Sequence, residues 1–208
     1  MNFHLQSPIK PKNYDTDAGL IQLTQMFGED PERYAPLKGH TGWDFRTKHF
    51  QDGRCPVLAA HDGTIITDKN AWDAQGGKYI KIMSGEVIIN GQVGKALTFY
   101  CHLASTRLER GAKVKAGQLI GYAGNTGLKS TGYHLHFDFT RLLKCQDGTF
   151  EYPDAKDKYG DRCDPLPYMI DGNVFQYGDG LYSRMFFYNG KKIQREEVDH
   201  LIPEQFIN

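Results

Sequence analysis

From Tyr133 to Phe139 the chain reads Tyr-His-Leu-His-Phe-Asp-Phe, with polar and apolar residues in strict alternation. Only an extended strand sorts such a sequence into two faces, because successive side chains of a strand point to opposite sides of the sheet. His134, His136 and Asp138 then share one face, while Leu135, Phe137 and Phe139 share the other and pack into a core. A fold that accommodates this segment contains a sheet with one buried face and one polar face.

The rest of the chain follows the same pattern. It has 23 glycines, 12 tyrosines and 12 phenylalanines, and no long stretch with apolar residues at three-four spacing. That composition suits short strands joined by tight turns. Strands are predicted over 64–68, 79–83, 86–89, 97–103, 118–122 and 133–141, with breaks at Asn90-Gly91 and Gly124-Asn125. Helical signals are few: Asp30 followed by Pro31 reads as a cap and first turn over 30–34, and 195–201 is long enough for a turn or two. The expected fold is mainly β, an antiparallel sheet domain with a groove bordered by loops and few short helices. Three parts are expected along it: an N-terminal lead (1–35), a β core (36–143) and a C-terminal extension (144–208). The extension opens with a polar loop, 144–164, and holds a hairpin in which 181–188 turns at Asn189-Gly190 into 191–193.

Several function classes are excluded by bulk properties. The 25 Lys and Arg balance the 25 Asp and Glu, so there is no excess positive field to collect nucleic acid. The longest apolar runs, such as 96–101, fall far short of the ~20 residues needed to span a bilayer. The first residues lack the basic start, apolar stretch and small-residue cleavage site of a secretory signal, so no signal peptide is expected in this sequence. The cysteines, Cys55, Cys101, Cys145 and Cys163, form no C-x-x-C pair, which argues against a thiolate zinc knot or a redox pair. Cys145 and Cys163 flank the polar loop and can be bridged in an oxidising compartment.

Two further segments carry chemistry. In Gly39-His40-Thr41-Gly42-Trp43-Asp44-Phe45 a histidine and a carboxylate, separated by three residues, sit in glycine-flanked backbone that can bend both towards one point. Trp43 and Phe45 read as core. In Thr98-Phe99-Tyr100-Cys101-His102-Leu103, alternation puts Thr98, Tyr100 and His102 on one face and Cys101 in the core. A catalytic zinc site typically takes three nitrogen or oxygen ligands from the protein and keeps a fourth position open. His40, Asp44 and one histidine of the 134/136 pair complete such a set. The other two histidines would lie beside the open position, placed to move protons or to stabilise an oxyanion. A structural zinc site is normally closed by four ligands, whereas two histidines remain uncommitted here. His4, His49, His61 and His200 read as ordinary polar residues.

These motifs, taken together, resemble the lysostaphin-type or LytM-like zinc endopeptidases. That family combines an H-x-x-x-D segment, a later histidine in a Y-x-H-L setting and a final H-x-H strand. All three occur here in that order: His40 to Asp44, Tyr100-Cys101-His102-Leu103 and His134-Leu135-His136. The intervening 76–82, 111–121 and 124–127 segments are similar to the family as well. The resemblance covers roughly residues 36 to 140 and implies one zinc ion held by His40, Asp44 and His136, with His102 and His134 as the catalytic pair. It also implies a zinc-dependent endopeptidase that hydrolyses peptide bonds in peptidoglycan stems or cross-bridges, outside the cytoplasmic membrane. The competing readings are a non-catalytic LytM-like domain that binds wall or activates other hydrolases, and a structural component of a phage particle. This sequence departs from the family pattern in a 127–132 segment one residue longer, in Tyr133 where proline is common, and in an extended hairpin between Ile82 and Leu97. Those changes border the expected groove and bear on substrate preference; the extension has no counterpart in the family.

Overall fold

A computed structural model describes residues 2–11, 20–47, 55–153, 161–178 and 184–201. The strands are β1 (Leu20–Gln25), β2 (Trp43–Arg46), β3 (Pro56–Leu58), β4 (Gly63–Ile65), β5 (Trp72–Asp73), β6 (Gly77–Met83), β7 (Val87–Ile89) and β8 (Gln92–Thr106). They continue with β9 (Lys113–Val114), β10 (Leu119–Ala123), β11 (His134–Lys144), β12 (Phe150–Glu151), β13 (Val174–Tyr177), β14 (Met185–Tyr188) and β15 (Lys191–Ile193), and the chain then forms helix α1 (Arg195–Leu201). The spine of the sheet runs β15-β14-β13-β1-β2-β11-β8-β6-β4-β9. Pairing is antiparallel throughout except between β1 and β13, which run parallel. Among the described residues no helix is long and apolar enough to cross a membrane.

The expected alternation along β11 holds. Leu135, Phe137 and Phe139 are fully buried, and across the sheet Trp43, Phe45, Ile80, Ile82, Tyr100 and Phe175 join them. Val57 of β3 and Ile120 of β10 complete this core. Residues 2–11 are stitched into the same body: Phe3 donates its N–H to Ile88 O and Leu5 to Tyr168 O, and Leu5 is fully buried. The C-terminal strands extend the sheet past β1. Ile21, Phe175 and Phe187 face the main core, while Leu20, Val174 and Phe186 face a small second cluster roofed by Val198 of α1. Glu197 stabilises the start of α1 by accepting the Gln194 N–H at 2.7 Å, one half of a capping box.

Both expected asparagine-glycine turns form. Asn90 and Gly91 have φ of 51° and 82°, and Asn189 and Gly190 have 44° and 76°, the paired positive values a two-residue hairpin loop demands. Of the second hairpin's expected first strand, 181–183 lie outside the described residues. The helix expected over 30–34 is replaced by turns. Asp30 has φ of 51°, outside the extended backbone of a helix cap, and its carboxylate accepts from Gln25 Nε2 at 2.7 Å instead of capping. Pro36 also bars helix at the residue before it, so too few positions remain to build one. The bridge between Cys145 and Cys163 is absent, and all four thiols are free. Cys163 sits opposite Phe139, six residues before Cys145 along the β11 line, roughly 20 Å away at ~3.3 Å per residue and far beyond disulfide reach.

His61 is 3% exposed, and burial pushes its pKa down to about 4. Its Nδ1–H donates to Asp62 O and its Nε2 lies 2.9 Å from Thr98 Oγ1, so the neutral ring is part of the core. Because the folded pKa lies below the free value of 6.5, the unfolded chain takes up the extra proton first, and stability is lost as pH falls from 6.5 to 4. The loss should approach ~3 kcal/mol. Urea midpoints measured across that range with a chelator present should fall less steeply for His61→Gln than for wild type; parallel slopes would contradict this origin.

Candidate metal centre

The polar face of the sheet carries the site, and three elements meet there. Asp44 on β2 lies directly opposite His136 on β11, and His136 lies opposite Cys101 on β8. His40 comes from the turn before β2, which presses flush against its neighbours because of two glycines. A Cβ on Gly39, whose φ is 150°, would sit 2.3 Å from Gly28 O, and one on Gly42 would sit 2.2 Å from Phe137 O. No other residue fits either place.

Three donor atoms converge as a result. His40 Nε2 and His136 Nδ1 are 2.9 Å apart, His136 Nδ1 and Asp44 Oδ1 are 2.9 Å apart, and His40 Nε2 and Asp44 Oδ1 are 3.2 Å apart. Tetrahedral zinc with bonds of ~2.0–2.2 Å has ligand–ligand edges of ~3.3–3.6 Å. The observed triangle needs to open by only a few tenths of an ångström to become one face of that tetrahedron. The outer nitrogens show which way the lone pairs point. His40 Nδ1–H donates to Met26 O at 3.2 Å, and His136 Nε2–H donates to Asp138 Oδ1 at 2.8 Å. In their neutral forms both inner nitrogens turn lone pairs towards Asp44, and the arrangement favours a positive charge between the three atoms, a proton in the metal-free protein or a metal ion in its place.

The electrostatics agree. Burial resists charge on His136, but Asp138 and Asp44 more than reverse that and lift its pKa to about 10. Burial also works against the Asp44 carboxylate, yet its hydrogen bonds to His136 and His40 hold it well below the usual range. By composition and spacing this His-His-Asp cluster could hold a metal ion.

Two more imidazoles flank it. The rings of His102 and His134 lie 4.5 Å apart, and His134 Nε2 is 3.7 Å from Asp44 Oδ2. His102 Nδ1–H donates to Thr126 O at 2.7 Å and His134 Nδ1–H to Gly132 O at 2.8 Å. One loop thus sets both tautomers and leaves both Nε2 atoms as acceptors towards the groove. Burial, reinforced by the neighbouring His134, lowers the His102 pKa to about 4 and keeps that ring neutral at ordinary pH.

His102 does not reach the polar face by alternation. Ile80 pairs with Tyr100 and Lys78 with Leu103, so two residues of β8 oppose one of β6. His102 occupies this bulge with φ of 59°, a left-handed value uncommon outside glycine. The face expected to be polar is the buried one over 98–100: Thr98 and Tyr100 point into the core, the bulge alone carries His102 away from them, and Phe99 and Cys101 line the groove beside it. Cys101 is buried, though at the base of the groove and not in the core.

The groove encloses about 820 Å³. Lys129 and Tyr133 stand on its rim with Tyr34 and Tyr177, whereas Lys78 turns away to donate to Ala104 O. Lys48 and His49 lie outside the described residues. His4 and His200 are exposed and are not members of the cluster. Two residues at the centre were not singled out for a role from the sequence: Asp138, whose face alternation did indicate, and Arg162, which no local pattern marks.

The sequence model of peptidase family M23 matches residues 38–148, more than half the chain. The protein belongs to peptidase family M23. The M23 match spans all five histidine and aspartate positions of the site and ends before Arg162. Among curated relatives, the peptidoglycan DD-endopeptidase ShyC of Vibrio cholerae is 30% identical over 132 residues, 63% of this chain and 28% of that protein. Glycyl-glycine endopeptidase ALE-1 of Staphylococcus capitis is 37% identical over 98 residues, 47% of this chain and 24% of that protein. The catalytic domain of the antimicrobial peptidase lysostaphin from Staphylococcus simulans superposes with a TM-score of 0.51 at 28% identity, covering 71% of this chain and 91% of that chain. The chain spans only about a fifth to just over a quarter of the length of the curated relatives it matches.

Proposed function

We propose that this M23 protein is a zinc-dependent endopeptidase that hydrolyses peptide bonds in peptidoglycan stems or cross-bridges. His40, Asp44 and His136 hold one zinc ion in this reading, and His102 and His134 form the catalytic pair. The observation that carries it is the convergence of three lone-pair atoms on the floor of a groove, beside two imidazoles whose free nitrogens face the same space. The chemistry a zinc ion supplies in such a place is to lower the pKa of a water from about 15.7 towards about 7 and to polarise the scissile carbonyl. The protein's own residues do the rest. Asp44 and the inner nitrogens of His40 and His136 would hold the ion. His134 Nε2 accepts the proton of the attacking water, and the positive charge that develops on the ring faces Asp44 Oδ2. His102, held neutral and donating through Nδ1 to Thr126 O, keeps a second acceptor in the groove. The proton then passes from imidazole to the departing amine.

ShyC and ALE-1 carry different bond specificities in their names, and both are similar to this chain, so stems and bridges are both candidate substrates. A substrate of either kind places the protein's action outside the cytoplasmic membrane. Incubating the zinc-loaded protein with purified walls that have glycine bridges, and with walls cross-linked directly between stems, should release soluble fragments from at least one. Mass spectrometry should find new peptide ends at a single bond type, and a chelator should stop the release until zinc is restored. Intact walls in both cases, with stoichiometric zinc bound, would overturn the reading.

A further inference from the structure

Behind His136 lies a carboxylate with no place in the mechanism above. Asp138 is 3% exposed, and its two oxygens have separate partners: Oδ1 accepts His136 Nε2–H at 2.8 Å, and Oδ2 accepts Arg162 Nε–H at 3.2 Å. The pocket is shaped for it, since a Cβ on Gly42 would come within 2.6 Å of Oδ1. Arg162 belongs to the C-terminal extension, beyond the residues that match M23. Its backbone is anchored one residue later, where Cys163 N–H donates to Phe139 O at 2.8 Å, so the guanidinium reaches the centre from a fixed point on β11.

We propose that Arg162 and Asp138 are positioning residues for the metal centre, through which the C-terminal extension sets how tightly the site holds zinc. The inference rests on the zinc site argued above. A carboxylate hydrogen-bonded to the outer nitrogen of a ligating histidine fixes its tautomer and ring angle and raises its basicity towards the metal. Asp138 does this for His136. Thr41 also hydrogen-bonds this carboxylate, and Arg162 adds a clamp on its far oxygen and, of the two, is the only positive side chain to compensate its charge. The clamp is asymmetric in exposure, with the Arg162 side chain 35% accessible and that of Asp138 4%, so removing the arginine leaves no cavity in the core.

The test is zinc affinity, measured by competition with a chromophoric chelator on the full chain, alongside melting of the metal-free protein. Asp138→Asn should weaken zinc binding by about 10- to 100-fold, and Arg162→Ala by a smaller factor of roughly 3- to 10-fold. Arg162→Lys should recover part of the loss. Melting of metal-free Arg162→Ala should match wild type, which separates positioning from a fold defect. If wild type binds one zinc and Arg162→Ala binds it equally well, the inference fails while the proposed function stands. If wild type binds no zinc, the proposed function itself fails. If Arg162→Ala loses affinity only in step with a lowered melting temperature, its role is structural and the inference is again overturned.

Discussion

Replacing His134 by alanine is expected to lower turnover on cell walls by about 10²- to 10⁴-fold while leaving zinc content at the wild-type level. The reason lies in geometry. His134 contributes no atom to the His40–Asp44–His136 triangle, yet its acceptor nitrogen stands 3.7 Å from Asp44 Oδ2 and its ring packs against His102. On the proposed mechanism its loss would remove a proton acceptor and spare the ligand set. Turnover and bound metal, measured on the same preparation, give three distinguishable results. A slow variant with full zinc is the expected one. Joint loss of both would make His134 a ligand, and full activity would remove it from the chemistry. His102→Ala should behave alike, because the two rings share one loop and one groove.

Asp44→Ala should do the opposite, abolishing metal binding first and activity as a consequence. Zinc held by four protein ligands is worth ~10–16 kcal/mol, or about 3–4 kcal/mol per ligand, so deleting one should weaken binding by about 10²- to 10³-fold. Asp44 is also the only anion in the triangle. Without it two neutral imidazoles, 2.9 Å apart, must hold a doubly charged ion unaided. Asp44→Asn keeps the volume and the pairing of β2 with β11 but loses the charge, and should fail nearly as badly. Chelator competition together with elemental analysis decides the matter. Either variant retaining wild-type affinity would show that the ion sits elsewhere.

Much of this centre was legible in the sequence because its signals are local. Alternation over 134–139 gave the correct faces for β11, and the glycines around His40 marked a bend that the backbone does require. Both Asn-Gly hairpin turns were legible for the same reason, since they depend on two residues each. What escaped depends on partners far away in the chain. The bulge at His102 arises where β6 and β8 fall out of register, and no pattern within 98–103 records it. His102 reached the groove as expected, but its neighbours Tyr100 and Cys101 exchanged faces. Arg162 escaped more completely, lying 24 residues from Asp138 in a polar stretch with no periodicity. Asp30 looked like a helix cap until Gln25, across a tight turn, claimed its carboxylate.

The loop that supplies Thr126 O and Gly132 O to the two imidazoles also carries Lys129 and Tyr133 to the rim of the groove. On the proposed function, gatekeeping and proton handling would thereby share one short stretch of backbone. A lineage that reshaped this stretch to admit a bulkier peptide would tilt both rings in the same stroke, so new selectivity would arrive at the cost of speed until further changes re-aimed the bases.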